Sequence, residues 1–255
     1  MSIVLNEYEW AEHMIENHDL GKKPLETLTR VSKYYLANGY RKGETRRLLD
    51  TFMLQCDPQA PLVHWSAALD KVAKSADKYP LIQMDGVDVT RKELERIEAL
   101  EGKQIRRLAF TLLCVAKYWD SVSEQNNYWV NSSDNELMQM ANINTSIKRQ
   151  SAMFACLRQA GLVTFSKRID SLNVQVLFVE PGDPVIHIQD FRNLGYQYLK
   201  HYGGPYFECA NCGVTVKAQD PDHGRKQKYC PNCAAEIRMR QNIDSVMRRR
   251  SISKS

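Results

Sequence analysis

Residues 206–233 read YFECANCGVTVKAQDPDHGRKQKYCPNC. Cys209 and Cys212 form one C-x-x-C pair, Cys230 and Cys233 a second, and 17 residues lie between them. That spacing predicts a structural zinc site. Each pair sets two sulfurs on one tight turn. Two pairs complete a tetrahedron of thiolates about 2.3 Å from a single Zn2+ per chain. A closed thiolate shell leaves no position for water or substrate, so the ion is expected to hold the fold rather than to catalyse. Gly213 suits a turn that needs positive φ, and Pro231 stiffens the second pair. Two disulfides or a redox C-x-x-C pair are the alternative use of these cysteines. Between the pairs the chain reads as a strand at Val214–Val216, a polar turn and a basic return strand at 225–229. His223 falls in that turn as a surplus imidazole. Tyr206, Phe207 and Tyr229 are expected to cover the small core around the ion, since so short a module buries little by itself.

Charge follows the same end of the chain. From Lys200 to Ser255 eleven Lys or Arg face five Asp or Glu, a balance of +6 against +5 for all 255 residues. A basic segment of this kind meets an anion, and nucleic acid is the usual one. Residues 236–255 form the basic tail, with Arg248, Arg249 and Arg250 as expected phosphate contacts. The composition, 43% hydrophobic and 25% charged, is that of globular material. There is no apolar run of membrane-spanning length and no signal-like start. A cytoplasmic protein of a bacterial host cell, without membrane partners, is expected. Cys56, Cys114 and Cys156 read as buried thiols among apolar neighbours.

Further upstream the pattern is mainly helical. In residues 1–80 apolar residues recur at helical spacing, as at Val4, Tyr8, Ala11 and Ile15, and again at Trp65, Leu69, Val72 and Ala76. Residues 81–102 read as a hairpin and a connecting helix. Leu81–Met84 and Val87–Val89 flank the turn pair Asp85-Gly86, and Thr90 with Glu93 makes a capping box. Residues 103–180 give the order helix, strand, helix, turn, helix, strand, turn, strand. Ser133 and Glu136 form a second capping box, and Gly161 stops the helix that starts after Thr145 or Ser146. Residues 181–204 read as a connecting helix and a linker, Gly203-Gly204-Pro205 being the clearest break.

The element order of 103–180, with the stretch LRQAGLVTFSKRID at 157–170, resembles the winged helix-turn-helix. That resemblance implies a DNA-binding fold whose second helix enters the major groove by its N-terminal end. Ile147, Phe154 and Leu157 are spaced to face the core. Ser146, Lys148, Arg149, Gln150 and Met153 are then expected outside. Arg149 suits a guanine edge and Gln150 an adenine edge, each through two hydrogen bonds. Lys148, Lys167 and Arg168 suit phosphates, which position a protein without reading sequence. Residues 205–235 resemble a zinc ribbon. Residues 39–79 are similar to small helical modules of phage and plasmid primases, through Gly39, Leu48, Leu49, Cys56, Pro58, Trp65, Val72, Ser75 and Ala76. This implies association with replication proteins and carries no catalytic motif. The stretches DFRNLGYQYLK, PYFECANCG and KYCPNCA together resemble proteins encoded by phages and prophages of Gram-positive bacteria.

Catalysis is not expected. There is no phosphate-binding loop, H-E-x-x-H helix or G-x-S-x-G elbow, and the six histidines show no ligand spacing. Asp183 and Asp190 near His187 would suit a metal nuclease, but Pro181, Gly182 and Pro184 favour a turn. The expected protein is a mainly α chain made of a helical module, a winged helix and a small α+β zinc ribbon. It would bind DNA in replication or transcriptional regulation of a mobile element. The alternative is an adaptor that docks onto a host replication, transcription or defence complex, since a fold does not settle its function.

Overall fold

The computed structural model describes residues 3–123, 125–166, 173–219 and 226–252, with side chains as far as Met247. Lys167, Arg168 and His223 lie outside the described residues, as do the side chains of Arg248, Arg249 and Arg250. The chain forms two compact units that divide after Gly86. Among the described residues no helix is long and apolar enough to cross a membrane.

The first unit holds four helices: α1 (Glu7–Glu16), α2 (Pro24–Ala37), α3 (Lys42–Cys56) and α4 (Leu62–Ser75). Asn6 caps α1 by accepting from Glu9 N at 3.1 Å. Pro24 opens α2 at a position where no amide is needed. Leu28, Val31, Leu49, Phe52 and Leu69 meet in a core drawn entirely from these helices. A buried ion pair crosses it at the edge. Arg30 Nε donates to Glu7 Oε1 at 2.9 Å, while Glu7 Oε2 accepts from Ile82 N at 3.1 Å. The segment around Gln83 bridges Asn6 in antiparallel fashion.

The expected hairpin at 81–89 does not form. Strand β1 (Val87–Thr90) pairs instead with a strand at Pro184–Ile188, Val87 opposite Ile188 and Val89 opposite Ile186. Val87, Val89 and Ile188 are buried there, and a lone two-stranded hairpin has no such face to bury. The segment Pro184–Ile188 within the expected connecting helix and linker is thus a strand, and His187 Nδ1 lies 2.7 Å from Asp88 Oδ1 across the pair.

The second unit is built around one long helix. After β1 come α5 (Arg91–Glu98) and α6 (Lys103–Val122). Every residue of α6 from Leu108 to Ala116 is buried, the mark of a helix covered on all sides. Thr90 and Glu93 form the expected capping box. Glu93 also reaches further: it accepts from Lys117 Nζ at 2.7 Å and from Glu180 N at 3.1 Å. Then follow β2 (Trp129–Val130), α7 (Asp134–Met140), α8 (Ile147–Gln159), β3 (Val163–Phe165) and β4 (Val174–Val176). The three strands make one antiparallel sheet in the order β2-β4-β3. The strand β5 (Pro184–Ile188) leads to α9 (Leu194–His201), which packs on α6 with the Phe110 and Tyr198 rings 5.3 Å apart. The chain ends in β6 (Tyr206–Glu208), β7 (Thr215–Lys217) and α10 (Pro231–Ile252).

Candidate metal centre and the exposed helix end

The four cysteines come together. The Sγ atoms of Cys209, Cys212, Cys230 and Cys233 all lie within 4.8 Å of one another. Cys209, Cys230 and Cys233 are buried and Cys212 is half-buried. The first pair sits where β6 runs out. Gly213, at φ 73°, donates its N–H to the Cys209 carbonyl at 2.9 Å, and Cys209 N donates to Val214 O at 3.0 Å. The second pair occupies the start of α10. There Asn211 Nδ2 donates to Cys233 Sγ at 3.3 Å and Cys233 N to Cys230 Sγ at 3.5 Å. A helix N-terminus favours negative charge, thiolates included.

The spacing fits a cation. A tetrahedron of sulfurs about 2.3 Å from its centre has edges of about 3.8 Å. Cys212 Sγ and Cys230 Sγ are 3.8 Å apart, far from the ~2.05 Å of a disulfide. All four thiols are free. Their acidity also asks for a cation. Burial raises the Cys209 thiol, but backbone hydrogen bonds from the Cys230, Cys212 and Asn211 segments outweigh it and bring it down to about 6. At Cys233 the bond from Asn211 pulls down, yet hydrogen bonding among the sulfurs, with burial, pushes the thiol up to about 12. Cys209 ionises easily while Cys212 and Cys233 resist, until a bound cation offsets their charge. The four cysteines can therefore hold a metal ion.

The surroundings differ from expectation in two ways. Val214, Val216 and Tyr229 pack around the sulfurs, but Tyr206 turns away to lie against Tyr196, ring centroids 4.8 Å apart. The sheet here has two strands, β6 and β7. Residues 226–229 add no third one.

Helix α8 presents the other residues singled out by sequence. Ser146 is its N-cap. Ser146, Lys148 and Arg149 are exposed in its first turn. Gln150 is not. Its side chain is buried and its Nε2 donates to Thr145 O at 3.2 Å, so its amide is spent on the preceding turn. Met153 is buried as well, and Ile147 is 79% exposed. The buried face is Gln150, Met153, Phe154 and Leu157, an i, i+3, i+4, i+7 stripe. Ile147, the first helical residue, stands one turn before that stripe and outside it. An apolar side chain at the same angular position is thus exposed because of where the helix begins.

The three remaining cysteines divide by environment. Cys114 is buried, Cys56 half-buried and Cys156 exposed, so the expectation of three buried thiols holds for one of them. No family model, curated protein or solved structure matches this chain.

Proposed function

We propose that residues 103–180 act as a winged helix-turn-helix that binds DNA, with a structural zinc ion held by Cys209, Cys212, Cys230 and Cys233. One observation carries the reading. The first turn of α8 leaves Ser146, Lys148 and Arg149 exposed together, at the end by which such helices meet base edges. Arg149 takes the base-reading role, and Lys148 contacts phosphate. The order of helix, strand, two helices and an antiparallel sheet supports the same reading. So does the excess of Lys and Arg after residue 200, which includes Arg248, Arg249 and Arg250. Zinc is the proposed ion because a closed set of four thiolates is its usual structural site. With the resemblance to phage and prophage proteins, the proposed setting is replication or transcriptional control of a mobile element, without catalysis.

Fluorescence anisotropy of labelled duplex and single-stranded DNA, read at several salt concentrations, tests this. Affinity is expected to fall linearly with log salt, by a slope of about 0.9 per phosphate contact. Lys148→Ala should lower that slope by about one contact, and Arg149→Ala should relax sequence preference. Absence of binding to either DNA at low salt would discard the DNA reading.

A second reading has an observation of its own. Met239, Ile243, Val246 and Met247 of α10 are 46–62% exposed and fall on one helix face, beside Arg238 and Arg240. DNA has no use for that apolar stripe, whereas an adaptor would. Recovery of one host complex after nuclease treatment, lost in Ile243→Asp, would favour it.

A further inference from the structure

We propose that Asn142 and Asn193 couple the metal centre to the turn that sets α8, so that metal loading positions this helix. The inference rests on the metal reading of the cysteines and is independent of what α8 binds.

Consider the chain of contacts from the metal side. Val214 accepts from Cys209 N, and the next carbonyl, that of Thr215, accepts from Asn193 Nδ2 at 3.0 Å. Asn193 Oδ1 then accepts from Asn142 Nδ2 at 2.8 Å. Asn142 Oδ1 accepts from Tyr196 N at 3.1 Å, and the Asn142 carbonyl accepts from Arg107 Nη1 at 3.0 Å. Each asparagine amide is therefore used at both ends. A neighbour strengthens the metal end: Arg192, paired to Asp190, donates to the Cys212 carbonyl.

The backbone explains why these residues are asparagines. Both hold φ 54°, a left-handed conformation that asparagine tolerates better than most residues. Asn142 closes α7. Its N–H bonds Gln139 O at 3.0 Å and that of Ile143 bonds Met138 O at 2.9 Å, the two-bond arrangement of a left-handed C-terminal cap. Asn193 is the N-cap of α9. At Gly195 an added Cβ would lie 1.9 Å from the Ala141 carbonyl oxygen, so α9 touches the same turn through bare backbone.

From Asn142 the path to α8 is short and held. Ile143 is buried, Ser146 is the N-cap, and Gln150 grips the Thr145 carbonyl. Without the ion the knuckle loses its tie between β6 and α10, and the Thr215 and Cys212 carbonyls lose their fixed positions. The relay then has one free end. Because linkage is reciprocal, a change at Asn142 must in turn weaken metal binding.

The experiment uses the full chain loaded with zinc. Competition with a chromophoric chelator gives zinc affinity for the wild type, Asn142→Gly and Asn193→Gly. Glycine keeps the left-handed backbone and removes only the side-chain bonds. Amide hydrogen exchange over residues 143–150, with and without zinc, gives the state of the turn. Both variants are expected to bind zinc about fivefold or more weakly. Zinc removal should speed exchange at 143–150 in the wild type and have little further effect in Asn193→Gly. Should a glycine variant lose protection across α6, Asn193→Asp replaces it, keeping the acceptor for Asn142 while losing the donor to Thr215. Wild-type zinc affinity in the variants, or unchanged exchange at 143–150 after zinc removal, would overturn the coupling alone. A wild-type chain that takes up no zinc would overturn the coupling together with the metal reading.

Discussion

At Gly195 a hydrogen stands where any other residue would carry a carbon, and the Ala141 carbonyl occupies that space. The obstacle is backbone at a helix end, which cannot move aside as a flexible side chain would. Gly195→Ala is therefore expected to cost about 3 kcal/mol or more, at the upper end for overpacking. Urea unfolding of the variant checks this, and a loss under ~1 kcal/mol would show that α9 can shift. In the stretch DFRNLGYQYLK the glycine reads only as a weak position in a helix. Its partner was not visible, because nothing local connects Gly195 to Ala141. The same holds for Glu93. Its capping box is a three-residue pattern and was legible, whereas its bond from Lys117 depends on how α5 packs on α6. Gln150 shows the opposite failure. Its residue type suits a base edge, but its amide is already used by Thr145.

Among the elements, the starts of α5 and α7 and the pairing of β3 with β4 were legible, and the partner of β1 was not. Thr90 with Glu93 and Ser133 with Glu136 start α5 and α7 as their sequences require. Leu81–Met84 and Val87–Val89 gave a plausible hairpin, yet β1 chose a strand far along the chain. Pairing is decided by which face can be buried, and that is a property of the whole unit. Position within an element also sets cysteine chemistry. Cys114 lies in the buried centre of α6, where burial drives its thiol well above the usual 9.0. Burial likewise pushes Cys56, at the end of α3, up to about 11. Cys156 is exposed on α8. With metal bound, an alkylating reagent at pH 8 is expected to modify Cys156 first, Cys56 slowly and Cys114 only on unfolding, as peptide mass mapping would show. The raised thiols also set a pH trend. In the unfolded chain they ionise near 9.0 while the folded ones stay protonated. Their contribution to stability is thus complete below pH 9 and is lost as pH rises, for Cys56 between about 9 and 11.

Among the described residues each of the two units buries apolar side chains of its own. Leu28, Leu49, Phe52 and Leu69 belong to a core formed wholly within the first four helices. The cysteine cluster and its apolar neighbours belong to the unit that begins at Val87. A ligand stabilises only the unit whose folded state binds it. Two unfolding transitions are therefore expected, and zinc should move one of them. At a free zinc concentration a thousandfold above Kd, the shift amounts to about 4 kcal/mol in the transition of the second unit. Chelation should reverse it and leave the transition of residues 7–75 where it was. Urea titration followed by hydrogen exchange distinguishes the two transitions, since each helix reports its own unit. A single transition that moves entirely with zinc would mean that the two cores unfold together. The four-cysteine spacing made the cluster of thiols that can hold a metal legible at once, because two short turns carry all four. The hydrogen bonds that join Thr215, Asn193, Asn142 and Arg107 were not legible, because the types of these polar residues alone give no hint of a shared network. A zinc-dependent transition that includes α6 and α9, rather than residues 206–233 alone, is what this network requires.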